Sequence, residues 1–339
     1  MTTIRDVAQA AGVSITTVSH VINGTRYVSE EVAADVRRAL LELGYRPNVV
    51  ARSLRSGKTR TIGLLLPDNS NLFFAEMSRV IEDVSYQNGY SLIICNTDDN
   101  LDKERSYLDT LVQKQVDGMI FISAGGSSHN IQALQKNHTH LVVVDREFEG
   151  AQADTVLVDN QMGGYMAARH LIQLGHKQIA CITGPSQMNP SADRLNGFRK
   201  ALSEAGLPVD EALILRGDYR YQSGERCMHE LHLLGRPFSA IFVCNDMMAI
   251  GAIKAAHNLN LNIPHDISII GFDNIPLAEA ISPSLTTIAQ PIAEVATVAT
   301  HLLLEKMTSS HFQFNGQFQR IVLQPSLLVR ESCASPTES

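Results

Sequence analysis

Nine basic residues stand in the first 60 positions: Arg5, Arg26, Arg37, Arg38, Arg46, Arg52, Arg55, Lys58 and Arg60. Five acids accompany them (Asp6, Glu30, Glu31, Asp35 and Glu42), which leaves +4 on this stretch. The whole chain carries −7, so the remainder holds −11. A cationic end on an anionic body is the footprint of a protein that meets a polyanion with that end alone. Within the same stretch Thr16, Thr17 and His20 face outward from a helical run whose inward residues are Val18, Val21 and Ile22. Polar side chains near the start of a helix reach base edges when that helix enters a major groove. Hydrolytic and phosphate-cradling motifs are absent: the chain has no GxSxG, no GxxxxGK[ST], no HExxH and no GxGxxG after a strand. These absences argue against an enzyme, and no metal or cofactor is expected.

The elements that must hold the basic stretch are short. Thr3 caps a first helix with Asp6 at capping-box spacing, and Gly12 ends it. Ser14 caps ITTVSHVI, which Asn23-Gly24 breaks. Ser29 caps a third helix with an apolar face of Val32, Val36, Ala39, Leu40 and Leu43. Two short helices joined by a glycine-containing turn and braced by a third form a helix-turn-helix pattern, placed at residues 1–46. Residues 47–60 hold NVVARSLRS, a helical segment of about two turns, too short to persist alone in water, followed by a Gly57-Lys58-Thr59 linker.

From Thr61 the rhythm changes. TIGLLLP, SLIIC, GMIFIS, HLVVVD, QIACITGP, ALILRGD, AIFVCND and ISIIGFD alternate with helical stretches. That βαβ alternation predicts parallel sheets covered by helices. It runs twice, so residues 61–330 are expected as two similar lobes. Lobe one takes about 61–160 plus 291–322, lobe two about 161–290, and 331–339 form a flexible tail. Ligands in such folds sit at the carboxyl ends of the strands, between the lobes. Cys95, Cys181 and Cys244 lie in apolar runs and are expected as buried thiols; His138 and His140 are expected in a surface loop. No apolar run approaches the length of a membrane span, and MTTIRDVAQAAGVS has no secretory h-region. A cytoplasmic protein is expected.

IRDVAQAAGVSITTVSHVIN followed by YVSEEVAADVRRALLELGYRPNVVARSLRS resembles the headpiece and hinge of the lac/gal repressor family. The resemblance spans the body as well. It is nearest to the ribose operon repressors and, in the head, to the purine repressors. It implies a small all-α helix-turn-helix DNA-binding domain and an α/β two-lobed, periplasmic-binding-protein-like domain made of two doubly wound parallel sheets. It also implies a transcriptional repressor that binds a palindromic operator, with a central CG step, as a homodimer. By that resemblance Thr16, Thr17, His20 and Arg26 contact bases; Thr3, Ser14, Asn23 and Tyr45 suit phosphates, with capping or surface polarity an equal reading for each, and Arg55 is a DNA-binding candidate beside Leu54. The matching Leu54 wedges between bases from the minor groove, at a cost of a few kcal/mol of unstacking.

The body resembles the periplasmic ribose-binding proteins motif by motif. NSNLFF supplies Asn71, Phe73 and Phe74; VVVDRE supplies Asp145 and Arg146; ADRLNGF supplies Arg194. VCNDMMA supplies Asn245, IIGFDN supplies Asp273, TIAQP supplies Gln290, and Tyr219 stands where the cousins carry an aromatic. Carboxylates, amides and guanidinium groups suit sugar hydroxyls, which donate and accept. The chain departs from those proteins after the third strand, where Ser123 is nearest to their asparagine. It departs from the purine repressors at Arg146, where they carry tryptophan; this chain has none. The expected effector is a sugar, ribose foremost, that releases the operator. A purine or another sugar is the alternative within the family, and Asp145, Asp273, Phe73 and Phe74 also admit purely structural roles. A stand-alone sugar-binding protein and a sugar- or nucleotide-processing enzyme are the rivals outside it.

Overall fold

A computed structural model describes residues 2–45, 57–123, 139–146, 153–186, 188–308 and 318–336. The chain divides into two compact units, residues 1–59 and 60–339.

In the first unit, α1 (Ile4–Ala10) opens on a capping box: Thr3 accepts from the Asp6 N–H and the Asp6 carboxylate accepts from the Thr3 N–H. α2 (Ile15–Asn23) starts where Ser14 accepts from the Thr17 N–H and stops at Gly24, whose φ of 61° is cheap only without a Cβ. α3 (Glu30–Glu42) has Ser29 at its N-cap position, but the Ser29 side chain makes no capping hydrogen bond. Val7, Ala8, Val18, Val36 and Ala39 form the core, with Ile4, Val21, Ile22, Leu40 and Tyr45 packed around it. Leu43, expected on the apolar face of α3, is exposed instead.

The second unit contains two six-stranded sheets. Lobe 1 is built on β1 (Thr61–Leu66), β2 (Ser91–Asn96), β3 (Gly118–Phe121), β4 (His140–Val144), β5 (Asp154–Val158) and β11 (Arg320–Leu323), in the order β11-β5-β4-β3-β1-β2 and all parallel. Alternate residues take opposite faces, as strand geometry demands. Ile62, Leu64, Ile120, Val142 and Val156 meet α4 (Leu72–Gln87) and α11 (Ile292–Thr308). Leu65, Met119, Phe121 and Val143 face the other way, toward α5 (Leu101–Gln113).

Lobe 2 holds β6 (Ile179–Thr183), β7 (Ile214–Arg216), β8 (Ala240–Val243), β9 (Ser268–Asp273), β10 (Thr286–Ala289) and β12 (Ser326–Leu328), ordered β12-β10-β9-β8-β6-β7. β12 alone is antiparallel, against β10. Its helices are α6 (Asn160–Gln173), α7 (Asn189–Glu204), α8 (Tyr221–Leu233), α9 (Asp246–Asn258) and the short α10 (Pro276–Ala280). α6 and α7 seat backbone to backbone: a Cβ at Gly164 would lie on the Arg194 carbonyl, and one at Gly197 on the Gln161 carbonyl.

The chain passes between lobes three times, at 158–160, 289–292 and 323–326. The segment 331–336, expected as flexible tail, is stitched to β9. Ser332 Oγ donates to the Ile269 carbonyl at 2.6 Å and accepts from the Thr286 N–H at 2.8 Å, and the Ile269 N–H donates to the Ser332 carbonyl at 2.8 Å. His176, buried between Ser239 and Ser268, completes the seam on the Ala334 carbonyl at 2.9 Å. Cys95, Cys181, Cys227 and Cys244 are buried free thiols. His140, expected in a loop, opens β4. Among the described residues no helix is long and apolar enough to cross a membrane.

Candidate functional site

The first candidate surface lies on the head. Thr16 is exposed on α2, while Thr17 and His20 are half-buried on the side away from Val18. Thr17 Oγ1 lies 2.8 Å from Ser14 Oγ, and His20 Nδ1 lies 2.8 Å from Thr25 Oγ1. Both contacts fix side-chain directions from within the head. Asn23 and Arg26 are exposed; the Asn23 amide donates back to the Ser19 carbonyl at 2.8 Å. Tyr45 packs on the head core. Leu54 and Arg55 lie outside the described residues.

The second surface is a cavity of about 500 Å³ between the lobes. All ten residues singled out in the body line it: Asn71, Phe73, Phe74, Asp145, Arg146, Arg194, Tyr219, Asn245, Asp273 and Gln290. Their convergence follows from the topology, because nine stand at the carboxyl end of a strand or at the start of the next helix, and Arg194 stands in the second turn of α7.

Lobe 1 contributes an apolar shelf and an ion pair. Phe73 and Phe74 pack edge to face at 5.1 Å in the first turn of α4. Asn71 caps that helix, accepting from the Phe73 N–H at 3.1 Å. Arg146 is buried behind β4. It donates to the Ser123 carbonyl and lies 3.6 Å from Asp145 and 3.5 Å from Asp99. Ser123 itself does not line the cavity: its hydroxyl donates to the buried Glu104 carboxylate at 3.1 Å.

Lobe 2 contributes a second ion pair. Arg194 Nε donates to Asn160 Oδ1 at 2.8 Å, and Nη1 donates to the Cys244 carbonyl at 2.5 Å while lying 3.5 Å from Asp273. The guanidinium stacks on Phe272, 3.7 Å from the ring centroid. Burial pushes the Asp273 carboxyl up to about 7 against the opposing pull of Arg194 and of the Gln290 amide, which donates to it at 2.7 Å. Burial also pushes the Tyr219 phenol well above its ordinary value, which keeps it neutral. The Tyr219 hydroxyl and Gln290 Oε1 are buried without a hydrogen-bond partner. Such groups are costly unless a ligand pairs with them. Asn245 caps α9 through the Met248 N–H at 2.9 Å and donates to the Tyr219 carbonyl at 3.0 Å.

The sequence does not single out Asp246 or the lining aspartates Asp68, Asp98, Asp99 and Asp218. Asp246 is fully buried behind Asp273; it accepts from the Thr287 hydroxyl at 2.7 Å and from the Ile275 N–H at 2.9 Å. It thereby fixes the turn that presents Asp273, whose φ is 112°. Burial and the Asp273 charge push Asp246 up to about 8 against the donors aimed at it. Its only sequence signal is its place beside Asn245.

Residues 3–48 match the model of bacterial regulatory proteins of the lacI family, and residues 168–333 match that of the periplasmic binding protein-like domain. A PurR transcriptional repressor from Edwardsiella ictaluri is 41% identical over 336 residues, which cover 98% of this chain and 97% of that protein. The chain belongs to the lacI family. As a LacI-family member it is a transcriptional repressor and not an enzyme. Among solved structures, the lac repressor dimer bound to operator and the anti-inducer ONPF is similar over 98% of this chain and 99% of that one, with a TM-score of 0.86 and 25% identity. A LacI-family regulator from Enterococcus faecium with bound ribose matches 81% of this chain and 99% of its own, with a TM-score of 0.73 and 33% identity.

Proposed function

We propose that this LacI-family repressor holds a palindromic operator as a homodimer and releases it when the cleft closes on a small neutral polyol, a pentose such as ribose. The observation that carries the reading is the pairing of two buried ion pairs, Arg146–Asp145 and Arg194–Asp273, across one cavity with the unpartnered Tyr219 hydroxyl and Gln290 carbonyl. A sugar's hydroxyls satisfy acceptors and donors in many directions at once, and the Phe73–Phe74 shelf suits its C–H face. The ribose-bound relative supports the same class of ligand. DNA is engaged by Thr16, Thr17, His20 and Arg26 on the head, with Asn23 and Tyr45 on phosphates and Leu54 with Arg55 at the operator centre.

A second reading has its own support. The PurR relatives are more similar than the ribose-bound regulator, at 41% over 98% of the chain against 33% over 81%. The comparisons therefore favour a purine effector. Overall identity reports descent of the whole chain, whereas ligand choice rests on the few residues of the cleft. Arg146 there offers a charged, already paired guanidinium at the point where purine repressors place a stacking tryptophan.

Titration of the operator-bound chain with ribose, guanine and hypoxanthine decides between them. Ribose is expected to weaken operator binding. Binding of a purine base with no response to ribose transfers the assignment to the second reading.

A further inference from the structure

We propose that the cleft sorts ligands by charge, admitting an uncharged molecule and rejecting the phosphorylated form of that same molecule. The inference rests on the reading of the cleft as the effector site, but it holds for either a pentose or a purine.

Among the described lining residues, six carboxylates (Asp68, Asp98, Asp99, Asp145, Asp218 and Asp273) face three guanidiniums (Arg146, Arg194 and Arg220). The two deep guanidiniums are committed. Arg146 serves the Ser123 carbonyl, Asp145 and Asp99; Arg194 serves Asn160, the Cys244 carbonyl and Asp273. A phosphate seeking Arg194 must displace Asp273 and strand it in a buried site, which costs more than the new pair returns, and one seeking Arg146 must compete with two carboxylates already paired to it.

The mouth opposes an anion as well. Asp98 stands in the turn after β2, where a hydrogen bond from Lys103 at 2.5 Å holds its carboxyl below the ordinary value; the charge of Arg220, on the other lobe, adds to that. Asp68 follows β1, and Asp218 follows β7. Backbone N–H groups at helix starts are the usual alternative phosphate site. Here the starts of α4 and α9 are capped by Asn71 and Asn245; α7 and α8, which also begin at the cavity, have no side-chain cap, but the Asp218 carboxylate, accepting from the Arg220 N–H at 2.9 Å, sets a negative charge beside the start of α8. The groups that do await a ligand, the Tyr219 hydroxyl and Gln290 Oε1, suit hydroxyl or amine partners. A reaction that phosphorylates the ligand would therefore end its signal.

Calorimetric titration of the full chain tests this with two matched pairs: ribose against ribose 5-phosphate, and guanosine against guanosine 5′-monophosphate. In whichever pair binds, the neutral member is expected to bind more than about 100-fold tighter, with the gap shrinking as salt screens the mouth. In the Asp98→Asn/Asp218→Asn double variant the ratio of the two dissociation constants should narrow by roughly tenfold; asparagine tolerates the φ of 54° at position 98. Equal or tighter binding of the phosphorylated member overturns the proposal. So does a ratio unmoved in the double variant, which would assign the discrimination to shape. Binding confined to the purine pair, with the gap intact, removes the pentose reading alone.

Discussion

The two lobes each bring an arginine–aspartate pair to the cavity, yet they hold it by different means. Arg194 stands on α7, and its partners Asn160, Cys244 and Phe272 belong to or directly adjoin α6, β8 and β9. Close glycine contacts between α6 and α7 lock the backbone that carries it. Arg146 instead follows β4, and its partners Ser123, Asp145 and Asp99 lie just after β3, just after β4 and in the turn before α5. The same chemistry is thus built into regular structure on one side and hung from loops on the other. Sites on helices and strands are held more tightly than sites on loops. Lobe 2 is accordingly the template and lobe 1 the adjustable jaw.

Removing the two arginines tests that contrast most severely. Arg194→Leu should lower the unfolding free energy of the sensor by about 3–5 kcal/mol, since it strands a buried carboxylate. Arg146→Leu should cost about 1–3 kcal/mol, because Asp145 and Asp99 lie in turns that can rotate toward water. Both variants should lose the effector response. Urea denaturation measures the costs, and equal losses would break the contrast.

A milder test adds one methyl group to each lobe. Gly164→Ala drives a Cβ into the Arg194 carbonyl and should cost about 1–3 kcal/mol while weakening effector binding. At Gly63 the atoms nearest the added Cβ belong to the Leu111 side chain rather than to backbone, so Gly63→Ala should cost less in the same denaturation experiment.

The smallest effect sharpens the role of lobe 2. With the Asp273 carboxyl raised to about 7, the protonated form prevails below that pH and the ionised acceptor above it. A ligand hydroxyl that donates to this group selects the ionised form, so affinity should rise by about tenfold between about pH 6 and 8. Calorimetry across that range should show the slope in the native chain and none in Asp273→Asn.

Much of this was legible in the sequence, for definite reasons. Thr3, Asp6 and Ser14 announce helix starts because capping is local chemistry. β1, β4, β6 and β9 announce themselves as apolar runs because both faces of a parallel sheet are covered. β10 was hidden because Thr286 and Thr287 are buried polar residues whose hydroxyls serve the Arg330 N–H and Asp246. β5, β11 and β12 are three to five residues long and lack distinctive flanks. The seam at 331–336 looks flexible in the sequence because serine, alanine and proline look unstructured; its order comes from one backbone hydrogen bond to β9 and from bonds through the Ser332, Ser268 and His176 side chains, which no local pattern encodes. The ten lining residues were found through resemblance. Asp68, Asp98, Asp99 and Asp218 were missed, because an acidic turn on the surface looks the same whether or not it borders a cavity.

The triple passage of the chain between lobes bears on how such sensors diversify. Neither lobe is a contiguous stretch, since β11 and β12 lie beyond the segments that build the rest of their sheets. A single genetic crossover within this unit therefore yields a chimera with strands of mixed parentage in at least one sheet. Exchange of a whole lobe between relatives requires several coordinated breakpoints. Altered effector preference is accordingly more accessible through point substitutions around the cleft than through shuffling of lobes.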